Sequence, residues 1–238
     1  MKKHIPNILT LMNLAAGSMA LYMVLNDQPV EALWFFAAAV FFDFADGLAA
    51  RLLKATSGIG KQLDSLSDLV SFGLVPASMI FMILRYIIAP ESDALVGDIS
   101  KAHKAMLFTV LFVPAFAALR LARFNTLPST DHFLGLPTPA YALFWTGIYF
   151  DFSMNQTFFG QSLSAWFIWG VMVMMSLLMI VPLPMLGLKF RNFKLFPNFS
   201  KYMLLLLSVV ILIFTGIPGL PLVILTYILL SLVRILLT

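Results

Sequence analysis

Long apolar segments dominate this sequence and most constrain how the chain can fold. Of its 238 residues, 61% are apolar and 11% are charged, whereas charged residues average about 25% of a soluble domain. Eight apolar segments approach the roughly 20 residues that a helix needs to cross a membrane. They are approximately 6–25, 31–54, 65–88, 104–123, 137–152, 164–182, 201–216 and 219–237. The sequence therefore predicts an all-α, polytopic integral membrane bundle with about eight, and at least six, transmembrane helices.

The chain shows no internal division. It contains no linker, low-complexity tract or repeat, and we predict one transmembrane domain over residues 1–238. Cysteine is absent, which excludes disulfides and thiolate-bound metals.

The basic side chains are distributed unequally between the two ends of the segments. With the N-terminus inside, most of them fall on the cytoplasmic side: Lys2, Lys3, Arg51, Lys54, Lys61, Arg120, Arg123, Lys189, Arg191, Lys194, Lys201 and Arg234. The other side receives Arg85, Lys101 and Lys104. This is the positive-inside pattern, and it predicts that both termini are cytoplasmic. Because topology accounts for the net charge of +4, we set nucleic-acid binding aside.

Four aspartates interrupt the apolar segments. Asp43 and Asp46 lie late in the second segment, and Asp64 and Asp68 lie around the start of the third. Each carboxylate in such surroundings costs about 2.5–3.5 kcal/mol by insertion scales. The four carboxylates must therefore make interactions that compensate for this cost.

Helical periodicity places these aspartates on two acidic faces. In the second segment, Asp43, Asp46, Gly47 and Ala50 are spaced i, i+3, i+4 and i+7, which is one face of a helix. If the third segment is helical from Gly60, then Gly60, Asp64 and Asp68 also share a face. The loop between the helices is short, so we expect all four carboxylates to converge at the cytoplasmic end.

Converging carboxylates require protonation or bound cations. Two like charges about 4 Å apart repel by about 4 kcal/mol at an effective dielectric constant of 20. Oxygen ligands select hard ions such as Mg²⁺, Mn²⁺ or Ca²⁺, and a pair of such ions suits phosphoryl transfer. Small residues on the same face leave room for a ligand, although they also suit helix packing. A proton or cation transporter would explain buried carboxylates as well.

The same stretch resembles the signature of the CDP-alcohol phosphotransferases, D-x2-D-G-x2-A-R-x8-G-x3-D-x3-D. It is matched by Asp43, Asp46, Gly47, Ala50, Arg51, Gly60, Asp64 and Asp68. The resemblance implies an enzyme of phospholipid biosynthesis that displaces CMP from a CDP-linked lipid. It also implies that the four aspartates bind two divalent cations, Mg²⁺ or Mn²⁺, with Ca²⁺ as an alternative occupant. Asp68 is further implied as the general base, and the CDP-lipid is implied to contact Gly47, Ala50, Arg51 and Gly60.

Direct displacement is favoured over a covalent intermediate, because no side chain stands out as an activated nucleophile. His4 lies near the N-terminus, and His103 and His132 fall in predicted loops. We interpret each of them as a surface residue.

Three further stretches resemble the phosphatidylserine synthase branch of the family: IPNILTLMNL, ALRLARFNT and FLGLPTPA. This resemblance implies that the donor is CDP-diacylglycerol, the acceptor is L-serine, and the protein is a homodimer among the lipids of a prokaryotic cytoplasmic membrane. A glycerol phosphate or inositol-type acceptor, or an archaeal ether lipid, remains an alternative.

Two of these stretches contain candidate ligand-binding side chains. Asn7, Thr10 and Asn13 form a polar stripe that would hydrogen-bond the CDP group or, alternatively, a neighbouring helix. Arg120 and Arg123 share a helical face with Asn125 just beyond, and guanidinium groups suit a carboxylate or a phosphate. We therefore predict that Arg120, Arg123 and Asn125 bind serine, although two arginines alone do not distinguish these anions.

Overall fold

The computed structural model of the chain describes residues 4–55, 57–89, 99–126, 133–154, 158–159, 163–187 and 196–237. Within these ranges the helices form eight rods. The rods are α1 His4–Leu25; α2 Pro29–Leu52; α3 Gly58–Leu69 continuing through a π-helical turn Val70–Leu74 into α4 Val75–Ile88; α5 Lys101–Thr109 followed by α6 Phe112–Thr126; α7 Thr138–Ser153; α8 Ala165–Ile180; α9 Phe199–Thr215; and α10 Leu220–Leu237.

Short elements connect some of the rods. Two 3₁₀ turns, Phe196–Asn198 and Ile217–Gly219, precede α9 and α10. Strands β1 (Phe133–Leu134) and β2 (Pro184–Met185) form an antiparallel pair. The chain is otherwise helical in its described parts, and the predicted all-α membrane class is confirmed.

Five of the described rods are long and apolar enough to cross a membrane: His4–Leu25, Pro29–Leu52, Gly58–Ile88, Lys101–Thr126 and Ile217–Arg234. Helices α7, α8 and α9 have 16, 16 and 17 residues. At 1.5 Å per residue they extend about 24–26 Å, less than the roughly 30 Å hydrocarbon core. All eight predicted apolar segments correspond to rods, and the number of membrane crossings stays a prediction.

Helix α1 organises the first half of the bundle. It packs along α2 and also against α3, the π-helical turn and α4. Gly17 permits this close approach, because a Cβ atom there would overlap the Ser71 hydroxyl. Helix α7 organises the second half, where it packs against α4 and α10 and buries Tyr141, Trp145 and Tyr149 almost completely.

The π-helical turn has a local cause in the sequence. Pro76 lacks a backbone N–H, and its ring crowds the carbonyl group four residues earlier, at Phe72. A wide turn over Val70–Leu74 relieves this conflict without breaking the rod. The turn follows Asp68 directly, so it lies beside the predicted site.

The loop between α2 and α3 is compact. Lys54 adopts a left-handed conformation with φ 49°, and Ala55 N donates to the Ala50 carbonyl at 2.9 Å, as in a Schellman cap. Ser57 then caps α3, because its Oγ accepts a hydrogen bond from Gly60 N at 3.0 Å. The two caps bring the ends of both acidic helices to the same end of the bundle.

Candidate active site

Three of the four predicted aspartates meet at this end of the bundle. Carboxylate oxygens of Asp43, Asp64 and Asp68 lie within 4.8 Å of one another. Asp46 lies one helical turn after Asp43 and is buried, with 5% of its surface exposed. The structure therefore forms a three-carboxylate cluster with Asp46 beside it.

This cluster fits a divalent cation. Oδ2 of Asp46 and Oδ1 of Asp68 are both buried without a hydrogen-bond partner, and an unsatisfied buried acceptor costs about 1–3 kcal/mol, or more when charged. Carboxylate oxygens are the ligands that Mg²⁺ and Mn²⁺ prefer. A cation would satisfy these oxygens and offset the repulsion between the carboxylates. The number and identity of the ions stay predictions.

A cavity of about 490 Å³ adjoins the carboxylates. It lies between the start of α1, the end of α2 and the start of α3. Its walls are formed by Pro6, Asn7, Thr10, Asp46, Gly47, Ala50, Ala55, Ser57, Gly58, Gly60, Lys61 and Asp64. Because Asp46 and Asp64 belong to these walls, a ligand in the cavity would reach the acidic groups directly.

The predicted CDP-lipid residues divide into two groups. The structure places five of them in the cavity wall: Asn7, Thr10, Gly47, Ala50 and Gly60. Asn13 and Arg51 are not in that wall. Asn13 is buried and its Oδ1 accepts a hydrogen bond from Ser71 Oγ at 2.7 Å, whereas Arg51 is exposed in the last turn of α2. The polar stripe of α1 thus contributes to both a cavity and a helix contact, and its binding role stays a prediction.

Two glycines of the cavity differ in what surrounds them. A Cβ atom at Gly47 would meet no other atom within 4 Å, so this position faces open space. A Cβ atom at Gly60 would lie 2.9 Å from Oδ1 of Asn7. Gly47 therefore leaves volume for a ligand, while Gly60 allows α1 and α3 to approach each other.

The predicted serine-binding residues also separate. Arg120 is 9% exposed, its Nη1 donates to Thr138 Oγ1 at 3.2 Å, and its Nε is buried without a partner. Its guanidinium group interacts electrostatically with Asp68. Arg123 instead donates to the Ile180 carbonyl at 3.0 Å. Of the two arginines, Arg120 has an unused donor and lies near the carboxylates.

Asn125 links two helices. Its Nδ2 donates to Ser65 Oγ at 2.7 Å, and its main-chain carbonyl accepts a hydrogen bond from Lys61 Nζ at 2.8 Å. These contacts tie α3, which bears Asp64 and Asp68, to the end of α6. Sequence reasoning missed Lys61 and Ser65 as site residues, although their i, i+4 spacing beside Asp64 is a helical-face pattern.

Neither histidine in the described part of the chain, His4 or His103, lines the cavity. His103 lies in the first turn of α5, so its predicted loop position is wrong; Ser100 caps that helix by accepting from His103 N at 3.2 Å. The centroid of the His103 ring lies 6.3 Å from the ring centroid of Trp166. His4 is exposed at the start of α1, and His132 lies outside the described residues.

The helical fold, the carboxylate cluster and the adjoining cavity define an apolar helical protein with a candidate site for a cation and a ligand. Residues 3–183 match the family model of CDP-alcohol phosphatidyltransferases. The chain belongs to this family, as its sequence predicts.

Three relatives are similar in sequence to this chain over more than half of its length. A CDP-diacylglycerol–serine O-phosphatidyltransferase from Mycobacterium tuberculosis is 30% identical over 214 residues, which cover 86% of this chain and 68% of the relative. The enzyme of the same name from Bacillus subtilis is 33% identical over 57% of this chain and 70% of its own length. An archaetidylserine synthase from Methanothermobacter thermautotrophicus is 32% identical over 74% of this chain and 66% of its own length.

Proposed function

We propose that this protein transfers the phosphatidyl group of CDP-diacylglycerol to the hydroxyl of L-serine and releases CMP. One observation carries the proposal: the cavity shares Asp64 with the three-carboxylate cluster, so a diphosphate held in the cavity would lie against the acidic groups. The names of the relatives support serine as the acceptor.

The donor occupies the cavity in this proposal. Asn7 and Thr10 provide polar contacts from α1, and Gly47 leaves open volume against α2. Lys61 offers a cationic side chain in the same wall. The acyl chains extend from this site into the surrounding membrane.

The aspartates would hold two divalent cations, Mg²⁺ or Mn²⁺, through Asp43, Asp46, Asp64 and Asp68. When bound, such ions stabilise negative charge on the diphosphate and on the departing CMP. The protein itself supplies the fixed carboxylate ligands and excludes most of the solvent around them.

Asp68 acts as the general base. The serine oxygen forms a bond to the phosphorus that bears the diacylglycerol, the bond from that phosphorus to the CMP oxygen breaks, and Asp68 accepts the hydroxyl proton. Its Oδ1 is buried without a partner, which leaves an acceptor available to the hydroxyl.

Arg120 binds the serine carboxylate. Its Nε is an unused, buried donor near Asp68, and a guanidinium group pairs well with a carboxylate. Arg123 and Asn125 support the acceptor side by holding α6 against α8 and α3.

The site end of the bundle faces the cytoplasm in this proposal. Among the described residues, most basic side chains belong to rod ends near the site or to the α2–α3 loop: Arg51, Lys54, Lys61, Arg120, Arg123, Lys201 and Arg234. Arg85, Lys101 and Lys104 belong to the opposite end. Lys2, Lys3, Lys189, Arg191 and Lys194 lie outside the described residues. Labelling of single cysteines introduced at the rod ends, from each side of sealed vesicles, tests this orientation. The mass of the purified protein in detergent tests the predicted homodimer.

An acceptor panel tests the proposed reaction. The purified protein is given CDP-diacylglycerol, Mg²⁺ or Mn²⁺, and one acceptor at a time, and CMP release is measured. We expect release with L-serine and not with glycerol 3-phosphate or an inositol phosphate. Release with another acceptor would overturn the serine assignment, and the absence of release with every acceptor would overturn the activity.

A parallel panel tests the lipid. One relative is named archaetidylserine synthase. A CDP-linked ether lipid is therefore the natural competitor for the donor site. We expect a higher kcat/KM with CDP-diacylglycerol, and a preference for the ether lipid would reassign the donor.

A further inference from the structure

Helix α10 carries two buried polar side chains that the proposed reaction does not yet use. Tyr227 is 5% exposed and Ser231 is 1% exposed. Their i, i+4 spacing places them on one face of the helix, and buried polar groups in a membrane helix require partners. Helix α10 also lies beyond residue 183, where the match to the family model ends.

Both side chains bind the main chain of one residue. Tyr227 OH donates to the Leu186 carbonyl at 3.2 Å, and Leu186 N donates to Ser231 Oγ at 3.1 Å. Ser231 Oγ also donates to the Tyr227 carbonyl at 2.7 Å. Helix α10 therefore fixes Leu186 through both of its backbone polar groups.

Leu186 belongs to a structure that we call the strand clip, residues 133–136 and 183–186. It contains the β1–β2 pair, and Gly135 N donates to the Leu183 carbonyl at 2.8 Å. Gly135 has φ 76° and approaches the carbonyl of Met179 closely, so this position requires glycine. The clip leads directly into α7, which begins at Thr138.

The strand clip connects α10 to Arg120 through Leu186 and Thr138. Thr138, at the start of the helix that follows the clip, accepts a hydrogen bond from Arg120 Nη1 through its Oγ1. The guanidinium group is thus held at Nη1, while its buried Nε has no partner. The clip that α10 holds therefore leads to Thr138, the hydrogen-bond partner of Arg120, and the buried Nε of this arginine stays available to an anion.

We propose that Tyr227 is a positioning residue for the acceptor site, with Ser231 as its support. Tyr227 holds the strand clip in place through Leu186, and the clip in turn positions Thr138, the partner of Arg120, so that Nε of Arg120 stays available to the carboxylate of a small hydroxy-bearing acceptor. This inference rests on the proposed function, because it takes Arg120 as the acceptor-binding group.

Steady-state kinetics of Tyr227→Phe and Ser231→Ala test the proposal. Each substitution removes one hydrogen-bonding group and little volume. We expect KM for L-serine to rise about tenfold, the size of effect that loss of one buried hydrogen bond produces, while kcat and KM for CDP-diacylglycerol change less than twofold. A general structural defect would alter both substrates or the melting temperature in detergent.

Tyr86→Phe is the matched control. Its hydroxyl is hydrogen-bonded to Asp27 at the end of the bundle opposite the site, and its loss should leave KM for L-serine unchanged. If Tyr227→Phe cannot be purified in a folded form, Ser231→Ala decides the question with the same measurement.

A double-mutant cycle identifies the route of the effect. If Tyr227 acts through Arg120, then Tyr227→Phe should change serine kcat/KM less than twofold in an Arg120→Lys background. Additive effects, or an unchanged KM for L-serine in both single α10 variants of an active enzyme, would overturn the proposal. A wild-type protein that releases no CMP with L-serine would instead overturn the proposed function.

Discussion

The donor and acceptor sides of this site are built in different ways. The donor cavity is formed by residues between 6 and 64, on three consecutive helices and one short loop. On the acceptor side, Arg120 contacts Thr138 and Tyr227 contacts Leu186, and the residues of each pair are far apart in the chain. The donor side therefore depends on local helical spacing, whereas the acceptor side depends on tertiary packing.

The two sides also differ in free volume. Gly47 faces open space in a cavity of about 490 Å³, while Arg120 is buried, with Nη1 bound to Thr138 and Nε without a partner. The donor side should therefore be sensitive to added volume, and the acceptor side to lost hydrogen bonds.

Removal of divalent cations should affect the three-carboxylate cluster, which lies between the donor and acceptor sides. We expect chelation to reduce CMP release below detection and Mg²⁺ or Mn²⁺ to restore it, because the carboxylates repel one another without a counter-charge. Titration calorimetry with Mn²⁺ provides a second measurement. Full activity in excess chelator would contradict a metal-dependent site.

Asp68→Asn should separate chemistry from donor binding. Loss of a general base lowers kcat by about 10²–10⁴-fold, whereas CDP-diacylglycerol binding should remain within about tenfold of wild type. Glu31→Gln, an exposed change in the first turn of α2, serves as the control for loss of an acidic side chain. An equal loss of binding and turnover would assign Asp68 to the donor side alone.

Gly47→Leu should fill the donor cavity. The new side chain has room within the protein, so the melting temperature should hold while KM for CDP-diacylglycerol rises about 100-fold, or about 2.7 kcal/mol by the tenfold rule. Gly170→Leu on α8 is matched, since a Cβ atom there also meets nothing within 4 Å. Equal effects of the two changes would show that the open space at Gly47 is not a ligand site.

Arg120→Lys and Arg123→Lys should differ in their effect on KM for the acceptor, L-serine. Lysine keeps the charge and loses the planar guanidinium donors, so Arg120→Lys should raise KM for L-serine about 10- to 30-fold, the equivalent of a charged hydrogen bond. Arg123→Lys should change it less than threefold, because Arg123 holds the Ile180 carbonyl. The reverse order would exchange the roles of these two residues.

Sequence reasoning performed well where spacing along one helix is sufficient. The eight apolar segments correspond to the helical rods, and the i, i+3 and i, i+4 spacings of the aspartates predict the faces on which Asp43, Asp64 and Asp68 meet. Residues such as Asn7 and Gly47 also line one cavity. The aspartate faces follow from helical periodicity plus one short loop, whereas a common site for Asn7 and Gly47 is what the family resemblance implies.

The remaining features depend on contacts that have no local pattern. Arg120 and Arg123 look equivalent in ALRLARFNT, yet one side chain meets Thr138 and the other meets Ile180. Pairing of Leu134 with Pro184 joins residues 50 positions apart. These contact partners are determined by how the second half of the bundle packs. Composition and periodicity alone do not predict them.

The π-helical turn at Val70–Leu74 has a consequence for insertions and deletions. A π-helical turn contains one residue more than an α-helical turn, and each residue rotates a helix by about 100°. Deleting one residue within the turn would convert the rod to a continuous α-helix of nearly the same rotation, so the acidic face of α3 and the face of α4 that packs against α7 would keep their relative phase. Deleting one residue outside the turn would instead rotate one face against the other by about 100° and dismantle the carboxylate cluster.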